Sequence, residues 1–233
     1  MSLNAAVVLQ ARMASRRLPG KALAVVAGRT ILTHCLRRLQ AGSSVPVVLA
    51  TTSRAEDDDL ADEAARLGVR TFRGPSDDVL ARFVRVARLL EVDYVVRATA
   101  DNPAVDIDAP RRVLELIASG DIDHATETEL PYGAAVEAVT VDALVRASEM
   151  AVDAADREHV TTLIRRDNVR FHAVDCRAPL ALRRPELRLT VDTADDLEHM
   201  RRLMALAGGA LDDPSLEAII AAADSQMGLA VLR

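Results

Sequence analysis

The sequence predicts an α/β fold, a three-layer α/β/α sandwich around a mostly parallel sheet. Short apolar runs rich in β-branched residues alternate along the chain with longer amphipathic segments. The runs are apolar on both faces, which is typical of parallel strands covered by helices on both sides. Several amphipathic segments open with acidic residues, and some are followed by glycine, as helix dipoles and C-terminal caps favour.

The alternation holds over the first half of the chain and then changes. Strands are predicted at 5–9, 46–51, 69–72 and 93–99, with helices at 31–40, 57–67, 76–90 (capped by Ser76) and 109–118. Residues 121–141 are irregular apart from a strand near 135–140. Further helices are expected at 142–151, 157–166, 194–207 (capped by Thr193) and 214–223, and strands at 169–174 and 188–191. We therefore expect a single domain over 1–233, with an insertion at about 121–187.

Composition excludes several classes of protein. The chain has 233 residues, 50% of them hydrophobic, and a net charge of −6, which disfavours a nucleic-acid binder. No apolar stretch reaches the about 18 residues that span a bilayer, and no signal peptide is recognisable. Two cysteines are too few for a disulfide framework. We expect a cytoplasmic protein that binds neither membranes nor nucleic acid.

The first strand leads into a basic loop, residues 10–21, with the sequence QARMASRRLPGK. It contains three arginines and Lys21 but no acid, and Lys21 is the only lysine among 29 basic residues. A compact ammonium suits a phosphate, although a leftover lysine on a solvated loop is an equal alternative from composition alone. Ser15, Pro19 and Gly20 make backbone amides available to an anion, which favours the phosphate.

Ligands of open α/β sheets bind beyond the carboxyl ends of the strands. In this chain those ends carry the basic loop and a set of polar residues, namely Thr51, Thr52, Ser53, Arg73, Asp101, Asn102 and Asp192. The loop would hold a polyphosphate, the aspartates Asp101 and Asp192 a Mg²⁺ that bridges its oxygens, and the hydroxyls a nucleoside. There is no P-loop and no GxGxxG motif.

Each of these residues also has a purely structural interpretation. Asp101 opens an Asp-Asn-Pro turn, and Asp192 precedes a helix whose dipole it would favour. Glu137 is as readily a paired structural carboxylate as a ligand. His159 lies on a helical pattern, where histidines are more often at the surface or in the core than in catalysis.

The loop QARMASRRLPGK resembles the signature loop of the cytidylyltransferase family, whose members activate sugar acids with CTP. The likeness is greatest to the branch called spore coat polysaccharide biosynthesis protein F, and it covers about residues 5 to 205. Further matching motifs are VLATTSRAEDD (48–58), VRTFRGPSDDVLARF (69–83), VVRATADNPAVD (95–106), YGAAVE (132–137), DREHVT (156–161) and LRLTVDTADDLE (187–198).

This resemblance implies a nucleotidyltransferase fold, described as Rossmann-like and glycosyltransferase-A-like, a divalent cation such as Mg²⁺, and a homodimer. It implies transfer of CMP from CTP to a sugar acid in polysaccharide or cell-surface sugar biosynthesis. Arg12, Lys21 and Asp101 would be catalytic, and Asp101 and Asp192 would hold the metal. The nucleotide would contact Gln10, Ala11, Arg12, Ser15, Arg17, Lys21, Thr51, Thr52, Arg73 and Asp101. The acceptor would contact Tyr132, Glu137, Arg157 and His159.

The chain departs from the family pattern at a few positions. Ala100-Asp101-Asn102-Pro103 stands where the branch usually has Gly-Asp-Cys-Pro, and Ala135 replaces a common aspartate. Two alternatives therefore stay open. One is a glycosyltransferase with a nucleotide-sugar donor, for which Asp106–Asp108 is the nearest Asp-x-Asp motif. The other is a non-catalytic nucleotide-binding homologue.

Overall fold

The computed structural model describes residues 3–208 and 213–231. Within these residues the strands, in chain order, are β1 (Ala5–Gln10), β2 (Val25–Val26), β3 (Arg29–Thr30), β4 (Val47–Thr52), β5 (Arg70–Gly74), β6 (Tyr94–Thr99), β7 (His124–Thr128), β8 (Glu137–Thr140) and β9 (Ala173–Arg177). The helices are α1 (Ile31–Ala41), α2 (Asp58–Arg66), α3 (Val79–Leu90), α4 (Ala109–Ile117), α5 (Val141–Met150), α6 (Ala154–Glu158), α7 (Thr162–Arg166), α8 (Ala194–Leu206) and α9 (Leu216–Val231).

One mostly parallel sheet organises the described chain. Its seven strands lie in the order β5-β4-β1-β6-β8-β7-β9, and β8 alone among them runs antiparallel to its neighbours. β2 and β3 form a separate antiparallel hairpin. The strands contributed by the region 121–187 thus extend the same sheet. The predicted α/β fold with a mostly parallel sheet is confirmed.

Helices cover both faces of the sheet because the strands are apolar on both faces. In β1, Val7 and Leu9 join one buried cluster, which also receives α1, α4, α8 and α9. Val8 points the other way, into a second cluster with residues of α3, α5 and α7. This alternation along one strand produces the three layers.

The second half of the chain departs from the predicted elements. The helix predicted at 157–166 is two short helices, because Val160 has φ of 56° in the left-handed region, which a right-handed helix cannot include. The segment predicted as a strand at 188–191 forms only one isolated bridge, between Tyr132 and Arg188. β7 lies in the region predicted to be irregular, and β9 begins four residues later than the strand predicted at 169–174.

Of the two N-terminal helix caps predicted from the sequence, the structure has one and lacks the other. Thr193 caps α8, accepting from the amide of Asp196, whose side chain accepts in return from the Thr193 amide. Helix α3, however, begins at Val79, and its cap is Asp78, which accepts from the amide of Ala81 at 2.8 Å. The prediction that Ser76 caps this helix is wrong, because an aspartate closer to the first turn takes that position.

Candidate active site

The basic loop after β1 is held in place by its own backbone and by one buried carboxylate. The amide of Met13 donates to Oδ1 of Asp57 at 2.7 Å, and the amide of Gly20 donates to the carbonyl of Met13 at 3.1 Å. Asp57 is fully buried and also accepts from the amide of Thr52 at 3.2 Å. The loop then turns at Gly20, whose φ of 73° suits glycine, and delivers Lys21 to the carboxyl edge of the sheet.

Lys21, Asp101 and Asp192 meet at this edge. The Nζ atom of Lys21 lies 3.0 Å from Oδ2 of Asp101 and 2.9 Å from Oδ1 of Asp192. It also donates to the carbonyl of Val191 at 3.0 Å. Only 14% of the lysine side chain is exposed. One ammonium group therefore contacts two aspartates that lie 80 and 171 positions away from it in the sequence.

Two arginines complete the surroundings of Asp192. Arg17 from the basic loop lies 2.9 Å from its Oδ1, and Arg188 lies 2.7 Å from its Oδ2. Burial by itself would raise the pKa of Asp192, but the hydrogen bond and charge of Lys21, helped by Arg17 and Arg188, lower it below the ordinary value. Asp192 is therefore ionised at neutral pH.

The segment 187–192, which carries Asp192, is held in position where its backbone crosses close to that of Tyr132 and Gly133. The amide of Tyr132 donates to the carbonyl of Leu187, and the amide of Leu189 donates to the carbonyl of Tyr132, both at 2.8 Å. The amide of Val191 donates to the carbonyl of Asp101 at 2.8 Å. Gly133 has φ of 99°, and a Cβ there would lie 2.7 Å from the amide nitrogen of Thr190. Glycine is required at this position.

The chemistry of the two aspartates fits a divalent cation. Two carboxylate oxygens and the carbonyl oxygen of Val191 converge on the Lys21 ammonium, so the ammonium is a stand-in cation among oxygen ligands. Across the described residues no group of three or more acidic, histidine or cysteine side chains is placed to hold a metal by itself. Mg²⁺ is commonly bound by one or two carboxylates together with substrate phosphates, and Asp101 and Asp192 supply two carboxylates.

The predicted nucleotide contacts Gln10, Thr51, Thr52 and Arg73, of which the last three were expected near the base and ribose, lie at the ends of β1, β4 and β5. Arg73 reaches across the loop that follows β4, donating to the carbonyls of Thr52 at 2.8 Å and Arg54 at 2.6 Å. Within the described part of the chain, Oε1 of Gln10 and Oγ1 of Thr51 are buried and have no hydrogen-bond partner. Buried polar atoms normally have partners, so these two oxygens are unsatisfied hydrogen-bonding groups at the ends of the strands.

The predicted acceptor residues are spread over a wider region. Glu137, on β8, is paired with Arg97 at 2.7 Å, and Thr161 donates to it at 2.9 Å. Its pKa is lowered well below the ordinary value, because His124 and Arg97 outweigh the effect of burial. Arg165 lies 3.5 Å from Glu137 and lines a cavity of about 560 Å³ between α7 and β9.

The other three residues predicted to bind the acceptor differ in exposure and in how far their side chains are already paired within the protein. Arg157 is engaged by Oδ2 of Asp78 at 2.7 Å and by two backbone carbonyls, of Ser148 and Ala151. His159 is exposed at the C-terminal end of α6. The ring of Tyr132 is largely exposed and packs against the Arg188 guanidinium, with 5.0 Å from the Arg188 Cζ atom to the ring centroid. Through Arg188, which also contacts Asp192, Tyr132 lies next to the group formed by Lys21, Asp101 and Asp192.

Sequence reasoning missed two residues of this site. Asp57 was expected only as the first residue of a helix, and Arg188 only as part of a strand. The spacing of Arg188 and Asp192, four residues apart, gave no signal because the segment is not helical. The remaining candidates of the basic loop, Ala11 and Ser15, lie where that loop leaves β1: the amide of Ala11 donates to the carbonyl of Ala50, and Oγ of Ser15 accepts from the amide of Leu18.

Comparisons with known proteins identify similar sequences. A sequence model described as cytidylyltransferase matches residues 6–223. The spore coat polysaccharide biosynthesis protein SpsF of Bacillus subtilis is 31% identical over 218 residues, which cover 91% of each protein. The 3-deoxy-manno-octulosonate cytidylyltransferase of Rhodopseudomonas palustris is 34% identical over 122 residues, covering 52% of this chain and 50% of that protein.

One solved structure is similar to this chain over nearly the whole length of both proteins. The structure of a cytidylyltransferase from Leptospira borgpetersenii superposes with a TM-score of 0.88 at 26% identity, covering 97% of this chain and 96% of the other. The mostly parallel sheet and this likeness show a nucleotidyltransferase fold, and the protein is an enzyme of the nucleotidyltransferase class. The chain belongs to the cytidylyltransferase family.

A helix that crosses a bilayer must be both long and apolar. Among the described residues, none of the helices is both long enough and apolar enough to cross a bilayer.

Proposed function

We propose that this enzyme transfers CMP from CTP to a sugar acid or a similar small acceptor, with release of pyrophosphate, in the biosynthesis of a polysaccharide or cell-surface sugar. The observation that carries the proposal is the convergence of Lys21, Asp101 and Asp192 at the carboxyl edge of the sheet. SpsF is named for polysaccharide biosynthesis and the Rhodopseudomonas relative for cytidylyl transfer to a sugar acid, which supports both the donor and the acceptor class.

In this proposal the basic loop binds the triphosphate. Those amides of the 11–20 loop that do not already donate within the protein, together with the side chains of Arg12, Arg17 and Lys21, contact the phosphates, as expected of a cationic turn after a strand. Gln10 and Thr51, each with a buried oxygen that lacks a partner among the described residues, lie on the adjoining strand ends and contact the nucleoside. Thr52 and Arg73 form the wall of the same pocket.

The reaction is a displacement at the α-phosphorus. A hydroxyl oxygen of the acceptor loses its proton to solvent water and bonds to the α-phosphorus, while the bond from that phosphorus to the bridging oxygen of the β-phosphate breaks and its electrons stay on the pyrophosphate. Arg12 and Lys21 stabilise the charge that develops on the departing pyrophosphate. Positioning and charge neutralisation supply most of the catalysis in reactions of this kind.

Asp101 and Asp192 would hold the divalent ion together with oxygens of the nucleotide. When bound, Mg²⁺ neutralises charge on the reacting phosphate. The side chains of both aspartates face one point, the Lys21 ammonium, and the carboxylate of Asp192 is ionised, so the side chains present suit this role.

The acceptor is proposed to lie between Tyr132, Glu137, Arg157 and His159, on the side of the sheet covered by α6 and α7. Arg12 bridges from the nucleotide loop to Glu158 of α6 at 2.6 Å, so the two halves of the site are in contact. The insertion is also proposed to form a homodimer interface.

The glycosyltransferase alternative is not favoured by the structure. Its Asp-x-Asp motif would be Asp106 and Asp108, but Asp106 is buried in a salt bridge with Arg112. Asp108 is 63% exposed and lies near Arg111. The two carboxylates therefore do not face a common point as Asp101 and Asp192 do.

A two-stage experiment tests the proposal. The melting temperature is measured with each of the four nucleoside triphosphates and Mg²⁺, and CTP is expected to raise it most, because a ligand that binds the native state stabilises it. The protein is then incubated with CTP, Mg²⁺ and a panel of sugar acids, and pyrophosphate is measured. Release of CDP rather than pyrophosphate, or CTP binding with no turnover on any acceptor, would contradict the proposal.

A further inference from the structure

The ammonium of Lys21 occupies the position between Asp101 and Asp192 where the proposed function places a metal ion. Three oxygens, from Asp101, Asp192 and Val191, surround it at 2.9 to 3.0 Å. A lysine ammonium has three donors, and all three are used here. The side chain is mostly buried, so this is a fully formed coordination-like arrangement and not a loose surface contact.

The charges around the two aspartates are already balanced. Lys21, Arg17 and Arg188 contact Asp192, Lys21 also contacts Asp101, and Arg188 is shared with Asp196 at 3.1 Å. Three cations thus face three carboxylates. A free divalent ion would meet a neutral cluster and would have to displace an ammonium from its partly buried oxygens, which leaves that ammonium without a partner.

The side chain of Lys21 can change partners without a backbone movement. Its backbone is fixed at the start of a short 3-10 turn, Lys21–Leu23, directly after Gly20. The ammonium sits on a flexible four-carbon stem and binds as a point charge, whereas arginine binds through a rigid planar fork. A polyphosphate held by the basic loop would offer the ammonium new oxygens within reach of the same stem.

We infer that Lys21 is an exchangeable counter-ion: without ligand it fills the cation position between Asp101 and Asp192, and it moves to the phosphates when a metal–nucleotide complex enters. The inference rests on the proposed function, because it takes the two aspartates as the metal site. It adds that the protein excludes free divalent ions until nucleotide is present. Since coupling between ligands is reciprocal, nucleotide and metal then strengthen each other's binding.

The lysine itself gives the first test, on the wild-type protein. Because Lys21 is the chain's only lysine, protein made with lysine labelled with ¹³C at Cε reports on this residue alone in an NMR spectrum. We expect the Cε signal to stay unchanged on addition of Mg²⁺ alone and to shift when CTP is added with Mg²⁺. A saturable shift with Mg²⁺ alone, or an unshifted signal while a rise in melting temperature shows that CTP has bound, would overturn the inference.

The second test measures Mn²⁺ binding without nucleotide by electron paramagnetic resonance. Lys21→Met should bind Mn²⁺ at least ~10-fold more tightly than wild type, since one uncompensated charge at a partly buried site is worth more than 1.4 kcal/mol. The matched control is Arg16→Met, which removes an exposed positive charge from the same loop. Asp192→Asn in the Lys21→Met background should abolish the gain.

The outcomes separate the inference from the proposed function. Equal Mn²⁺ affinity in wild type and Lys21→Met, or the same gain in Arg16→Met, refutes the exchange while Mn²⁺ binding in the presence of CTP still supports the proposed function. If wild type binds no Mn²⁺ even with CTP, the metal assignment fails and the inference with it.

Discussion

Arg12 in the basic loop and Glu158 at the end of α6 form a salt bridge, with 2.6 Å between Nη2 and Oε1. The residues are 146 positions apart, and the pair joins the loop proposed to bind phosphate to the insertion proposed to bind the acceptor. Both side chains are partly exposed, 42% and 32%. Exposed pairs contribute little to stability, so its main effect is on which anion Arg12 contacts.

Replacing Glu158 with glutamine should therefore improve nucleotide binding. Glu158→Gln removes the carboxylate that competes with phosphate for Arg12, and the affinity for CTP should rise about 2- to 5-fold, as expected for a pair worth up to ~1 kcal/mol. Isothermal titration with CTP and Mg²⁺ measures this. Glu115→Gln, which breaks the exposed pair with Arg111 on α4, is the control and should change nothing. Weaker CTP binding by Glu158→Gln would show that Arg12 is not a phosphate ligand.

The two aspartates at the carboxyl edge should be essential for turnover. Asp101→Asn and Asp192→Asn each should lower the rate of pyrophosphate release at least ~10²-fold, the usual cost of removing a group that stabilises charge in the transition state. Asp108→Asn, in the exposed Asp-x-Asp segment, should keep wild-type turnover. Near wild-type rates in both of the first two variants would exclude them as metal ligands, and an equal loss of activity in Asp108→Asn would show that the effect is not specific to the two aspartates that contact Lys21.

Gly133 should be needed to keep Asp192 in position. An alanine Cβ would lie 2.7 Å from the amide nitrogen of Thr190 and 2.9 Å from Oδ1 of Asn102, in a backbone conformation with φ of 99°. Gly133→Ala should lower the free energy of unfolding by about 1–3 kcal/mol and also reduce turnover. Gly120→Ala, whose Cβ would meet no atom closer than 4.0 Å, should be nearly neutral. Urea unfolding compares the two, and equal stability of the variants would contradict the crossing described for this segment.

Stability in acid should depend on Asp196. Burial would raise the pKa of this carboxyl, but the hydrogen bond from Arg188 and those from the amides of Asp192 and Thr193 lower it from 3.8 to about 2. A lowered pKa stabilises the folded state above the unfolded value and loses that effect as the pH falls through the folded value. The difference in unfolding free energy between wild type and Asp196→Asn should thus be constant above about pH 4 and shrink between about pH 4 and pH 2. A difference that does not change with pH would contradict this.

The sequence alone determined the layered α/β fold and, apart from the short β2–β3 hairpin, the strands and helices up to residue 118. Alternating apolar runs and amphipathic segments are local patterns, and in β1, β4 and β6 they agree with burial on both faces of the sheet. The basic loop, the single lysine and the two aspartates were also recognisable as local features. The basic loop and Asp101 follow β1 and β6, and the carboxyl ends of parallel strands share an edge, so their proximity was predictable. Asp192 reaches the same edge although the segment before it is not a strand.

Only the tertiary structure decided which atoms pair with which. The contact of Lys21 with both aspartates, the salt bridge of Arg12 with Glu158 and the crossing at Gly133 each join segments far apart in the chain. Such pairings depend on side-chain direction and close backbone approach, which no local pattern encodes. The same reason explains why 188–191 was wrongly predicted as a strand. The segment has the composition of a strand, but its backbone makes individual hydrogen bonds with Tyr132 and Asp101 instead of pairing within the sheet.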